Sequence, residues 1–204
     1  MKNKNKIKIV MVDALVGNDY SLCLCASLQA AGMDVRLVVT EDRSEKTRVP
    51  LSFPLLKWSP SKNAAQGKFA KTLKYLRYLA RLRREFARNK PDIVHFQFFR
   101  RERIESLFFA LLRILRINLV YTAHDVFPPE KKRLDFLIKS LVYRSAKVII
   151  VHSGFLKGMI VDTFGIDGEK IKIVPHGNFD HYLPEQNITN QHPQKVFAAT
   201  PKRV

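Results

Sequence analysis

Seven short runs of branched and aromatic residues recur between Ile7 and Val174, and stretches with helical spacing lie between most of them. This alternation constrains the fold more than any other feature. Two strands joined through a helix can pair side by side only in parallel, since the crossover carries the chain back to the starting edge. The first unit is complete: a strand over Ile7–Val12, a helix over Tyr20–Ala31, a C-terminal Gly32 and a strand over Asp34–Thr40. Further strands are expected at Leu51–Trp58, broken by Pro54, and at Asp92–Phe96, Leu119–Thr122, Lys147–Val151 and Lys170–Val174. Helices are expected at Lys68–Lys90, stopped by Pro91, and at Arg101–Arg116, Lys131–Ser145 and Gly154–Phe164, the last closed by Gly165. The expected class is α/β with a largely parallel sheet.

Within this pattern the stretch Leu119–Asp125 organises the chain. Leu-Val-Tyr-Thr reads as a buried strand, and it stops at Ala123 before an imidazole and a carboxylate, His124 and Asp125. Ligands of open parallel sheets bind at the carboxyl ends of the strands, so these two residues are site candidates; a loop-capping role for His124 is the alternative. His95 also follows a strand, and its side chain is expected either at the edge or turned inward. Gly17 either lets the backbone approach a phosphate or supplies a turn. No Gly-x-Gly-x-x-Gly follows the first strand and no Gly-Lys-Ser/Thr occurs, which disfavours a dinucleotide cofactor and a P-loop. His152 and Ser153, adjacent on an extended segment, point to opposite sides and are not a nucleophile pair.

The 36 basic residues against 18 acidic ones, a net +18, predict an anionic partner. Nine of the basic residues lie between Lys68 and Lys90, against Glu85 alone. Lys74, Arg77, Arg81, Arg84 and Arg88 recur at spacings of three and four and line one face, and Phe69, Leu73, Leu76, Ala80, Leu79, Leu82 and Phe86 form a broad apolar side. That face reads as membrane-docking, with a solvated face over a core-facing apolar side as the alternative. Arg100, Arg101 and Arg103 either extend this surface or receive an acceptor's phosphate. Nucleic acid is disfavoured, because the aromatics sit in apolar runs and are not interleaved with the basic face.

Cys23 and Cys25 diverge on a helix and form neither a disulfide nor a metal pair, and no ligand-spaced metal cluster is visible. Neither a signal-peptide core nor a run approaching the ~20 residues of a membrane span occurs, so a cytoplasmic, peripherally membrane-associated protein is expected. Residues 1–184 read as one domain. Residues 185–204 read as a linker or the truncated start of a second domain, with Val196–Ala199 as a possible further strand.

Four segments carry a resemblance: Lys90-Pro91-Asp92-Ile93-Val94-His95, Tyr121-Thr122-Ala123-His124-Asp125, Ala146 to Ser153, and Lys172-Ile173-Val174-Pro175-His176-Gly177. In order and spacing the chain resembles the amino-terminal domain of family 4 glycosyltransferases of the two-domain GT-B type. The resemblance implies a Rossmann-like open, mostly parallel sheet with helices on both faces. It implies transfer of a hexose from a nucleotide-sugar to a lipid-linked or polysaccharide acceptor, without a metal and with no cofactor, the nucleotide-sugar being the donor substrate. It makes His124 the catalytic histidine facing the donor sugar; Asp125, His95 and Arg100, candidates from their own positions, are read as substrate-binding beside it. Gly17 and Asn18 become the loop beside the donor phosphates, although the chain has Gly17-Asn18-Asp19-Tyr20 where the family commonly has paired glycines. Pro175, His176 and Gly177 fall at the interdomain crossing. The family's donor-binding half is not in the sequence, so a second chain or domain is expected to supply it. A non-catalytic membrane- or partner-binding module of the same fold is the alternative.

Overall fold

The alternation folds as one sheet in a computed structural model that describes residues 6–15, 19–41, 52–60, 67–126 and 133–177. Its strands are β1 (Lys8–Asp13), β2 (Asp34–Thr40), β3 (Leu55–Ser59), β4 (Ile93–Phe98), β5 (Leu119–Thr122), β6 (Val148–Val151) and β7 (Ile171–Ile173). The helices between them are α1 (Asp19–Ala30), α2 (Lys68–Asn89), α3 (Glu102–Ile114), α4 (Arg133–Ser145) and α5 (Gly154–Phe164). The order across the sheet is β3-β2-β1-β4-β5-β6-β7, and every pair is parallel. From β1 the chain builds outward to β2 and β3, then returns to the other side of β1 and builds outward through β4 to β7. The crevice between the carboxyl ends of β1 and β4 is therefore the switch point of the sheet.

Successive side chains of each strand go to opposite faces, and the core divides accordingly. Ile9, Met11, Val35, Leu37 and Val39 pack with Leu22 and Cys25 of α1. Val10, Val12, Val38, Val94, Phe96, Tyr121 and Ile149 pack with the buried sides of α2 to α5. Helices thus cover both faces, α1 on one and α2 to α5 on the other. The larger core is aromatic: Phe109 sits edge-on to Phe96 at 5.2 Å, and Phe99 stacks on Tyr121 at 5.2 Å.

Chain punctuation follows local chemistry. Ser153 caps α5, its hydroxyl accepting the Leu156 N–H at 3.2 Å, which gives that serine a structural job. Gly165 ends the same helix with φ +59, a conformation that disfavours any Cβ. Lys90 takes a left-handed φ of 43 to stop α2 ahead of Pro91.

Three expectations need correction. β3 is shorter than expected, because it starts only after Pro54, which has no N–H to donate to the ladder. β4 is longer and runs to Phe98, which brings Gln97 and Phe98 to the carboxyl edge. In α2 the apolar side expected to be one surface is two: Tyr75, Tyr78, Leu79, Leu82 and Phe86 are buried, whereas Phe69 is 83% and Leu76 51% exposed, with Leu73 and Ala80 also exposed. The tyrosines, absent from the expected apolar set, carry the packing because their rings reach under the helix. Val196–Ala199 and residues 185–204 lie outside the described residues.

Candidate active site

Each strand of the right half of the sheet ends by delivering one polar side chain to the same edge. β5 ends at Thr122, Ala123 is buried, and His124 follows on the loop. β6 ends at Val151 and is followed by His152, and β7 is followed by His176. β4 supplies Gln97 within its last turn of pleat. Parallel pairing in register places these ends side by side, so residues 28 and 24 positions apart meet. His124 Nδ1 lies 3.3 Å from His152 Nε2, and the rings of His152 and His176 stack at 3.7 Å. Tyr20, at the start of α1, presents its ring edge-on to all three imidazoles at 5.1 to 5.6 Å.

His124 is held from several directions. Phe98 stacks on it at 4.1 Å, and its Nε2 lies 3.1 Å from Gln97 Oε1. The Gln97 amide nitrogen reaches His95 Nε2 at 3.2 Å, and the Thr122 hydroxyl is 2.8 Å from the same atom. Burial, and then the neighbouring imidazoles of His152, His176 and His95, push the His124 pKa down to about 3. His124 is therefore a neutral imidazole at ordinary pH. Burial alone pushes His95 down to about 4, and burial followed by His152 lowers His176.

Beside this cluster is a cavity of about 110 Å³ lined by Gln97, Phe98, Tyr121, His124, Asp125, Glu102 and Lys139. Lys139 and Glu102 form an ion pair across it at 2.7 Å. An aromatic floor with carboxylates and an ammonium at the rim suits a polyhydroxylated ligand, whose apolar ring face can lie on Phe98 or Tyr121. A larger cavity, about 530 Å³ between Lys8, Lys90 and Asp92, opens at the amino ends of the strands. Asp34, Gln29 and Lys6 also line it, at the opposite edge of the sheet from His124.

The expected site residues separate into four groups. His124 and Asp125 line the cavity at the carboxyl edge, as expected, and His176 joins His124, although it was expected only at an interdomain crossing; Pro175 and Gly177 flank it as exposed coil. His95 and Arg100 do not line it. His95 is 5% exposed and backs Gln97 and Thr122, because residues 95 and 97 share the inward face of β4. The Arg100 guanidinium donates to the Pro60 carbonyl, and the Arg100 and Arg101 backbone N–H groups bind the buried Glu105 carboxylate. Gly17 and Asn18 lie outside the described residues. Of the basic face of α2, Lys74 pairs with Glu41 at 2.6 Å and Arg81 covers the Trp58 ring at 4.2 Å, while Arg77, Arg84 and Arg88 are exposed.

Gln97, Phe98, Tyr20 and His152 were not singled out as site residues. The signal for them is weak but present: each is one of the last two residues of a strand, the first after it or in the first turn of a helix at the carboxyl edge. Sequence spacing shows no metal-ligand cluster, and the fold brings three imidazoles together. His124, His152 and His176 bring a ligand-capable nitrogen each to within 4.8 Å of one another. No spacing rule shows this, because the contacts run between strands.

Solved structures share the fold. A glycosyltransferase from Rickettsia africae aligns with a TM-score of 0.59 at 16% identity, over 91% of this chain and 47% of that one. Sucrose-phosphate synthase from Thermosynechococcus elongatus aligns at 0.60 and 12%, over 84% and 48%. UDP-GlcNAc 2-epimerase from Methanocaldococcus jannaschii aligns at 0.57 and 14%, over 82% and 45%. The chain spans about half the length of each of these proteins. No curated protein matches the sequence significantly. The sequence profile described as Glycosyltransferase Family 4 matches residues 19–178, which include α1, the Gln97–His124–His152 edge and His176. With a parallel sheet of GT-B type and that match over most of its length, the chain belongs to glycosyltransferase family 4.

Proposed function

We propose that this chain is the acceptor-side half of a glycosyltransferase that moves a hexose from a nucleotide-sugar to a lipid-linked or polysaccharide acceptor at a membrane surface. The observation that carries this reading is the neutral His124, stacked on Phe98 at the switch-point edge and open to a cavity with Asp125 and Lys139 at its rim. A neutral imidazole there can bond a sugar hydroxyl, and basic side chains and helix ends offset charge on a departing diphosphate. The glycosyltransferase and sucrose-phosphate synthase relatives, by their names, act on sugars, which agrees with a polyhydroxylated ligand for this cavity. The donor is bound as substrate, with no cofactor, by a domain supplied from elsewhere in the protein or by a second chain.

Membrane action rests on α2. Its exposed residues Phe69, Leu73, Leu76 and Ala80 recur at spacings of four, three and four, and Arg77, Arg84 and Arg88 lie alongside. Among the described residues no helix is long and apolar enough to cross a membrane, so attachment would be to a surface.

The test supplies a donor-binding domain from a family 4 relative, in trans or as a fusion, with labelled nucleotide-sugar and a lipid-linked acceptor. Transfer that His124→Ala lowers roughly 10²-fold or more supports the reading. No transfer, or transfer indifferent to His124, favours a non-catalytic binding module, for which the exposed α2 stripe is the supporting observation.

A further inference from the structure

We propose that His124, His152 and His176 form a binding site for one divalent transition-metal cation of the zinc type. His152 directly follows β6, and His124 and His176 sit on the loops just past β5 and β7, so three neighbouring strand ends bring them together. This site shares His124 with the sugar cavity, so metal on Nδ1 and a sugar hydroxyl on that nitrogen exclude each other, and metal binding is measured whether or not the chain transfers sugar.

The hydrogen bonds on the outer sides of the rings carry the inference. The Gln97 amide nitrogen faces His95 Nε2 and, at 3.8 Å, the Met11 sulfur, two acceptors, so its oxygen faces His124. With its proton on Nε2, His124 donates to Gln97 Oε1 at 3.1 Å and keeps Nδ1 as a lone pair. On the far side, His152 Nδ1 donates to the Val174 carbonyl at 2.9 Å. His152 Nε2 is therefore the unprotonated nitrogen of its ring, and it lies 3.3 Å from His124 Nδ1. A cation bound there takes the place of the hydrogen bond that His124 Nδ1 makes to it when the proton sits on Nδ1.

That separation fits a metal. Two nitrogens each ~2.0–2.1 Å from a tetrahedral zinc are separated by about 3.3–3.4 Å. The outer bonds also fit, since ligand histidines characteristically donate their second N–H to a carbonyl or carboxylate oxygen, which fixes the tautomer. Three imidazoles without a carboxylate select zinc, nickel, cobalt or copper over magnesium, calcium or manganese. His176 is exposed and now stacks on His152; it completes the set by turning its ring out of that stack, and its exposure is the ion's way in. Three ligands leave one tetrahedral position for water or an anionic oxygen.

The test uses the tag-free full chain, stripped of metal with a chelator. Zinc is titrated in competition with a chromophoric chelator, and cobalt is added separately to read its four-coordinate visible bands. One equivalent should bind. His152→Ala and His176→Ala should each weaken binding by more than about tenfold, and Gln97→Leu by roughly 10–100-fold through loss of the outer bond. His176→Ala removes an exposed side chain, and its circular dichroism and melting profile should match the parent without metal. The sequence has two further histidines near its end, His181 and His192, and His181→Ala/His192→Ala should leave affinity unchanged. Absence of stoichiometric binding, or binding that survives His152→Ala and His176→Ala, would overturn the proposal. None of these measurements depends on sugar transfer, so the outcome is separate from that of the transfer experiment.

Discussion

Gln97 Oε1 lies 3.1 Å from His124 Nε2, while the nitrogen of the same amide lies 3.2 Å from His95 Nε2. One side chain thereby connects a buried histidine to the histidine at the sheet edge. Gln97→Leu removes the acceptor and leaves a shielded N–H unpaired, at a cost of about 1–3 kcal/mol in stability. Nitrogen chemical shifts of the His124 ring, measured with a chelator present, should change from a single tautomer to a mixture. An unchanged single tautomer would show that Gln97 does not orient the ring.

His95 gives the fold a pH dependence with a definite sign. Its pKa is pushed down by burial to about 4 from an ordinary 6.5, and the groups facing it are the uncharged Thr122 hydroxyl and Gln97 amide. The unfolded chain takes up the proton first, so this contribution to stability is complete above pH 6.5 and is lost progressively as pH falls toward 4. One proton gives a limiting slope of about 1.4 kcal/mol per pH unit. Urea unfolding of His95→Gln with a chelator present should show a shallower decline over this interval than the parent.

The α2 surface makes a prediction that separates paired from unpaired charge. With each basic residue near an anionic leaflet contributing about 1 kcal/mol, Arg77→Gln/Arg84→Gln/Arg88→Gln should weaken vesicle binding roughly 10²-fold. Lys74→Gln should have a smaller effect, because Lys74 is already paired with Glu41 at 2.6 Å. Leu76→Ser should also weaken binding without unfolding the protein, as Leu76 is half exposed. Sedimentation with phosphatidylglycerol vesicles across a salt series measures all three, and equal partition of parent and triple variant would remove the membrane role.

Phe109 is fully buried and touches Phe96, Phe99 and Tyr121 edge-on, joining α3 to β4 and β5. Phe109→Ala should cost about 3–5 kcal/mol, the transfer of the ring plus the cavity it leaves. Denaturant unfolding would show this as a lower midpoint with an unchanged slope.

The order of strands and helices, the parallel sheet and the carboxyl-edge position of His124 and Asp125 were all legible in the sequence. They follow from short-range chemistry: side-chain periodicity, Pro91 and Gly165 as stops, and polar residues just past apolar runs. Tertiary structure alone decided which edge residues meet. Register placed His152 and His176 against His124, turned His95 inward beside Gln97, and directed the Arg100 guanidinium to the Pro60 carbonyl. It also divided α2, since rotation of the helix about its axis buried Tyr75 and Tyr78 and left Phe69 and Leu76 outside. Contacts between strands tens of residues apart depend on pairing and rotation of whole elements, and a local pattern along the chain carries no information about either.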